Sequence, residues 1–384
     1  MDRRKFLEKS ILSGAALGIS AASPLAPGSA AAQKKTGVKD LIDQKHIFEA
    51  KEAQFYKKLE HGKIRCHICP RKCEVDNMER GFCGNRENRD GTYYVLAYGN
   101  PCAAHIDPIE KKPFFHFLPG TQAFSIATAG CNLVCKFCQN WQISQFRPEQ
   151  TENIFLPPDK AAGIAKERRI TSIAYTYAEP VVFYEYMYDT SIEARRNGVK
   201  SVMVSAGFIN PDPMRKLVKK LDAVKIDLKA FTEKYYQEVC SAELKPVLQT
   251  LEVLKDEKIW FEIVYLVVPT LNDSREEVRN MSRWIMKTLG PDVPLHFSRF
   301  YPQYMLKNLP PTPVSTLETL RKTAMDEGID YVYIGNVPGN KAESTYCPHC
   351  GKRLIYRIGY QVIENKIKNG ACPYCRTKIP GVWI

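Results

Sequence analysis

The sequence lacks a convincing membrane span. Its mildly apolar stretch from Ile11 to Ala32 is broken by Pro24 and Pro27, and a spanning helix needs about 20 consecutive, predominantly apolar residues. An internal period is also missing, which excludes a solenoid or propeller. Acidic residues are in deficit, 42 against 55 Lys and Arg, for a formal net charge of +13. That excess favours an acidic partner or an anionic cofactor, but is weak ground for nucleic-acid binding. Hydrophobic residues are not scarce. They make up 44% of 384 residues, enough to bury one large core plus one or two accessory modules and to exclude a disordered chain.

The 13 cysteines are unevenly spread. They fall into tight sets of four, three and four, with Cys102 and Cys240 apart, and sets of that spacing suit metals better than disulfides. The three-thiol set lies in Gly130-Cys131-Asn132-Leu133-Val134-Cys135-Lys136-Phe137-Cys138, directly after a strand-like apolar run from Ala123 to Thr128. Thiolates prefer soft metals, and iron–sulfur clusters are the usual occupants of such a compact array. A cubane has four irons and this loop offers three sulfurs, so one iron is left open, as in a catalytic rather than a closed structural site. A zinc loop or a buried thiol cluster is the plainer alternative.

Two further sets flank it. Cys66, Cys69, Cys73 and Cys83 fall within eighteen residues, punctuated by Pro70, Gly81 and Gly84, and can close round one ion or cluster. Near the carboxyl end, Cys347, Cys350, Cys372 and Cys375 form two C-x-x-C knuckles about a strand-like stretch from Arg353 to Ile363, the spacing of a zinc-ribbon or rubredoxin-like site. Zinc or additional iron fits either set. With metals bound at all three places the charge falls to about +8.

At the amino terminus, Arg3-Arg4, then Phe6-Leu7, then a Gly/Ala-rich stretch ending in Ser29-Ala30-Ala31-Ala32 match a twin-arginine export signal over 1–32, which implies an extracytoplasmic location. The alternatives are an amphipathic or disordered tail and a cytoplasmic protein. Residues 33–120 read as a linker, a helix from His46 to Glu60, and the first cysteine module. Lys111, Lys112 and His116 read as a basic patch. From 121 to 336 strand-like runs alternate with helical segments: Ile173–Tyr177, Ser201–Ser205, Val224–Leu228, Phe261–Val268, Leu295–Phe300 and Tyr331–Ile334 are the strands. Such alternation specifies an α/β fold with a parallel sheet, whose site lies at the carboxyl ends of the strands. There stand Glu179 after the second strand, and Lys225, Asp227 and Lys229 on one face of the fourth. Asn272 or Asp273 is expected to cap a helix, and Arg299 and Tyr301 are weaker candidates near the site. Residues 337–384 form the last module.

The C-x-x-x-C-x-x-C loop, with Phe137 before its third cysteine, resembles the signature of the radical S-adenosylmethionine (SAM) superfamily. Asp107 to Gly120, the preceding cysteine module and Thr128-Ala129-Gly130-Cys131 look like the radical SAM enzyme of the AmmeMemoRadiSam system, a relative of the pyruvate formate-lyase activating enzymes. The resemblance implies a partial (β/α)6-type barrel with small cysteine-rich modules at both ends. It also implies a [4Fe–4S] cluster on Cys131, Cys135 and Cys138, and SAM bound at the open iron and cleaved to a 5'-deoxyadenosyl radical that abstracts hydrogen. By the same resemblance Glu179 holds the SAM ammonium, Lys229 lies near its carboxylate, and Asp227 lies near the ribose or a cation. Expected partners are a low-potential electron donor, a protein substrate, and Memo-like and AMMECR-like proteins. Two other readings stay open: an iron–sulfur or metal-binding protein without SAM turnover, and an RNA-modifying enzyme.

Overall fold

The computed structural model describes residues 50–383; the twin-arginine segment and most of the following linker lie outside the described residues. The first stretch is built from short strands: β1 (Lys51–Glu52), β2 (Tyr56–Lys58), β3 (Ile64–Cys66), β4 (Glu74–Val75), β5 (Arg86–Arg89) and β6 (Thr92–Val95). They form two three-stranded sheets, ordered β1-β6-β5 and β2-β3-β4. The helix expected from His46 to Glu60 is therefore a misreading over its described part. Lys51 and Glu52 pair with Val95 and Tyr94, and Phe55 takes φ 56°, which a right-handed helix does not tolerate. Asp90-Gly91 is the two-residue turn of a hairpin that joins β5 to β6.

The main sheet has eight strands: β7 (Ala103–Pro108), β8 (Gln122–Ala127), β9 (Ser172–Tyr175), β10 (Lys200–Ser205), β11 (Ala223–Asp227), β12 (Trp260–Val267), β13 (Leu295–Arg299) and β14 (Val332–Gly335). Their order is simply sequential. β8 to β14 are parallel, and β7 is an antiparallel edge on β8, so the sheet begins before residue 121. β9 is buried at all four positions, as expected of a parallel strand covered on both faces. The alternating helices include Pro158–Glu167, Tyr184–Arg196, Leu244–Asp256, Arg275–Thr288 and Val314–Asp326. In the fourth of these Val278, Met281, Ser282 and Ile285 are buried, one stripe at helical spacing. Its cap is Ser274, whose side chain accepts from the Glu277 amide. Neither Asn272 nor Asp273 caps it. Together the elements make an α/β fold with a partial parallel barrel.

The last module is a three-stranded sheet, β15 (Thr345–Tyr346), β16 (Arg353–Ile358) and β17 (Gln361–Asn365). Its apolar face packs on the barrel through Phe115, Tyr331, Tyr333, Leu354, Ile355 and Ile379. Arg357, fully buried, donates to the Phe115 carbonyl at 2.7 Å and to Thr345 Oγ1 at 2.8 Å.

Candidate active site

The loop after β8 is pinned from several sides. Gly130 takes φ +96°, and a Cβ there would sit 2.5 Å from the Cys83 carbonyl oxygen, so only glycine fits. The Val134 and Lys136 amides donate to the Cys240 and Val239 carbonyls at 3.1 and 2.9 Å. Asn132 Nδ2 donates to the Phe208 carbonyl at 2.8 Å, and Asn140 Nδ2 to that of Tyr177 at 2.7 Å. Held this way, Cys131, Cys135 and Cys138 all line one cavity of about 460 Å³, within the range of small-molecule sites. Burial pushes the Cys131 thiol well above its ordinary pKa, so a thiolate there calls for a metal to replace the proton.

The carboxyl ends of the strands supply the other walls. Glu179, Ser205, Lys225, Asp227 and Lys229 line the same cavity. Glu179 is 2% exposed. Its Oε1 accepts from Ser205 Oγ at 2.6 Å and from the Val181 amide at 3.2 Å, and its Oε2 from the Ala206 amide at 2.8 Å. Burial raises its pKa despite these bonds, leaving a carboxyl group that a cation would favour in its charged form. Glu179 also caps the short turn Pro180–Phe183. Ser205 and Ala206 serve as its positioning partners.

Asp227 lies between two lysines. It accepts from Lys225 Nζ, and from Lys229 Nζ at 2.8 Å. Burial alone would raise its pKa, but the two ammonium groups outweigh that and hold it at about 2. Lys229 is pushed up: burial works against its charge, and the charges of Asp227 and Cys135 overcome it. Lys225 is lowered, by burial first.

The basic patch expected upstream is only partly formed: Lys111 and Lys112 both line the cavity and both pair with Asp107, but His116 does not join them. His116 is fully buried, with Nδ1 2.7 Å from the Pro380 carbonyl and Nε2 2.6 Å from the Tyr333 hydroxyl. Burial lowers its pKa to about 4, so it is neutral at physiological pH. Lys112 is 2% exposed and lines the cavity. It donates to Asp107 at 2.7 Å and lies 4.1 Å from the Tyr177 ring centroid. Burial, only partly offset by Asp107, brings it to about 8. The sequence hid this burial because the ring that covers Lys112, Tyr177, comes from outside the local run. Arg299 and Tyr301 do not line the cavity; Arg299 Nε donates to the Thr312 carbonyl at 2.8 Å. Cys240 was missed for the same reason as Lys112: it is buried against Cys135 and its side chain draws that thiol's pKa down, yet it does not line the cavity. The cavity thus receives three thiols, which fits a cluster with one unligated iron.

The two four-cysteine sets differ in geometry. The ligand atoms of Cys347, Cys350, Cys372 and Cys375 lie within 4.8 Å of one another. The Cys347–Cys375 and Cys350–Cys372 sulfurs are 3.5 and 3.7 Å apart. A tetrahedral zinc with bonds of about 2.3 Å spaces its sulfurs by roughly 3.8 Å, so this set can hold a single ion. Gly359 and Tyr360, at the tip of the β16–β17 hairpin, reach over to line the barrel cavity. Cys66, Cys69, Cys73 and Cys83 surround a separate small cavity. Among the described residues they do not form a comparably tight group.

Residues 125–283 match the sequence profile of the radical SAM superfamily. An uncharacterized protein of Methanocaldococcus jannaschii is 46% identical over 331 residues, covering 86% of this chain and 98% of the relative. A second uncharacterized protein of that organism is 25% identical over 256 residues, covering 64% of this chain and 68% of its own length. Among solved structures, a radical SAM methyltransferase from Sphaerobacter thermophilus is similar with TM-score 0.46 at 14% identity, covering 62% of this chain and 71% of that one. A domain of the pyruvate-formate lyase-activating enzyme from Bacteroides vulgatus gives TM-score 0.39 at 12% identity, covering 43% and 99%. The profile spans the strands that carry the three thiols, Glu179, Asp227 and Lys229, and residues 125–283 are a radical SAM superfamily domain, which implies a [4Fe–4S] cluster and SAM.

Proposed function

We propose that the chain reductively cleaves SAM at a cluster held by Cys131, Cys135 and Cys138 and directs the hydrogen abstraction that follows at a protein substrate, in the manner of an activating enzyme. The observation that carries this is the shared cavity: three thiols, one buried carboxyl group and a lysine–aspartate–lysine row on its walls. When bound, the cluster supplies one electron and an open iron for the amino acid end of SAM. In this reading Glu179, oriented by Ser205 and Ala206, accepts from the SAM ammonium in a charge-assisted bond. Lys229 offers a fixed positive charge to the carboxylate, and Asp227 holds Lys229 in place.

A protein substrate is supported by the rim. Tyr360 lines the cavity and is 45% exposed. Met305, 56% exposed, is tied to the cluster loop by its amide, which donates to the Lys136 carbonyl at 2.9 Å. Exposed apolar groups beside a site are what a polypeptide would cover. The resemblance of Asp107 to Gly120 supports a place in the AmmeMemoRadiSam system, with Memo-like and AMMECR-like proteins as partners and a low-potential protein as electron donor. The paired arginines support export. Anaerobic reconstitution with iron and sulfide, followed by dithionite and SAM, tests the reading. It expects 5'-deoxyadenosine from the wild type and none from Cys135→Ala; absence of the product from a cluster-loaded wild type would overturn it.

A further inference from the structure

Cys66, Cys69, Cys73 and Cys83 surround a small cavity whose remaining wall includes Arg86, Tyr93 and Asn132. Asn132 directly follows the first cysteine of the barrel loop. The Cys83 carbonyl presses on Gly130, at the 2.5 Å that forbids a side chain there. Cys83 and Cys131 also line a common groove. Arg71, from the first set, donates through Nε to the Asn132 carbonyl at 2.6 Å, and its charge acts on Cys69 and Cys73 as well as on Cys131. The two thiol sites therefore share a wall.

Two features separate this set from a zinc staple. Its sulfurs are not drawn into the tight group that the carboxyl-terminal set forms, and a cubane, with a separate iron for each thiolate, holds its sulfurs further apart than one zinc does. Arg86 is the second feature. It is 1% exposed and paired with Glu185 at 2.6 Å, yet its Nε–H has no hydrogen-bond partner. A buried, unpaired guanidinium N–H costs free energy unless something accepts it. Here it borders the cavity enclosed by the thiols, where a cluster sulfide would accept and where its positive charge would favour the reduced, more negative cluster.

We infer that Cys66, Cys69, Cys73 and Cys83 hold a second, fully ligated [4Fe–4S] cluster that passes electrons to the cluster of the barrel loop. The relay role rests on the radical SAM reading of that loop; the second cluster itself does not. The step is a single electron transfer. The reduced second cluster is oxidised, the oxidised loop cluster is reduced, and no proton or bond moves. A low-potential one-electron protein donor reloads the second cluster. Shared walls make this exchange fast because electron transfer rates fall steeply with distance.

The test begins with Cys131→Ala/Cys135→Ala/Cys138→Ala, reconstituted anaerobically as the full chain. It is expected to keep about four of roughly eight irons and, when reduced, to give a paramagnetic cluster signal that SAM leaves unchanged. Loss of all iron, or zinc at the first cysteine set, would overturn the second cluster. If that variant keeps its cluster while the wild type shows no response to SAM, the enzyme reading fails and this site stands. Cys69→Ser/Cys83→Ser tests the relay. Rapid-freeze spectroscopy is expected to show reduction of the loop cluster by reduced flavodoxin slowed at least about tenfold, with reduction by a small photoreductant retained; an unchanged rate would overturn the relay. Should that variant misfold, Arg71→Gln replaces it. The second cluster's potential is then expected to become more negative, and no shift would count against the shared site.

Discussion

Replacing Glu179 with glutamine removes one negative charge from the cavity wall and keeps its shape. The wild-type carboxylate spends its bonds on Ser205 Oγ, the Ala206 amide and the Val181 amide, which fix it without neutralising it. An ammonium placed against it gains a hydrogen bond to a charged, water-excluded acceptor, worth about 2 kcal/mol. Glu179→Gln should therefore weaken SAM binding by about thirtyfold. The assay is anaerobic equilibrium dialysis of cluster-loaded protein, with iron content confirming that the thiol site is intact. pH supplies a second readout. Because burial raises the Glu179 pKa in the free protein, wild-type affinity should fall as pH drops through that raised value, where the acid becomes protonated before the ligand arrives. The glutamine variant should lose this dependence. An unchanged dissociation constant, or the same pH dependence in both proteins, would refute the assignment.

Asp227→Asn should strand Lys225 and Lys229 without their shared counter-ion and lower stability by about 3 kcal/mol, seen as a depressed urea midpoint; no change would show that the lysines find other partners. His116, lowered to about 4 by burial, has an ordinary unfolded value near 6.5. The unfolded chain then takes up the proton first, so stability present above about pH 6.5 is lost as pH falls toward about 4, by roughly 2 kcal/mol between pH 7 and 5. Urea titrations of His116→Phe should show a shallower slope over that range, and an equal slope would contradict the buried neutral state. Gly130→Ala should cost iron at both adjoining sites, since its Cβ meets the Cys83 carbonyl at 2.5 Å; full iron retention would mean that the two loops do not press together. Cys350→Ala should release one zinc and lower the melting temperature while leaving the barrel's iron in place, and unaltered zinc would argue against the single-ion reading of that set.

The barrel was legible because its strands are apolar on both faces and its helices are amphipathic, patterns that local sequence carries by itself. The three thiols were legible as a spacing, and Lys225 and Asp227 as alternate positions on one strand. What escaped depends on partners far along the chain. His116 reads as a basic surface residue until Tyr333 and Pro380 enclose it, and Lys112 until the Tyr177 ring covers it. Cys240 stands alone in sequence and beside Cys135 in space. The residues near Phe55 carry a helix-like apolar spacing, but sheet pairing with Tyr94 and Val95 overrides it. Strands of two or three residues leave no period to detect.

Iron spectroscopy of the anaerobic wild type, enriched in a Mössbauer-active isotope and recorded with and without SAM, bears most directly on the central claim. A cluster gripped by Cys131, Cys135 and Cys138 predicts that one iron changes its signal when SAM is added, and that Cys135→Ala abolishes the change. Zinc in place of iron at that loop, or an iron spectrum indifferent to SAM, would contradict it.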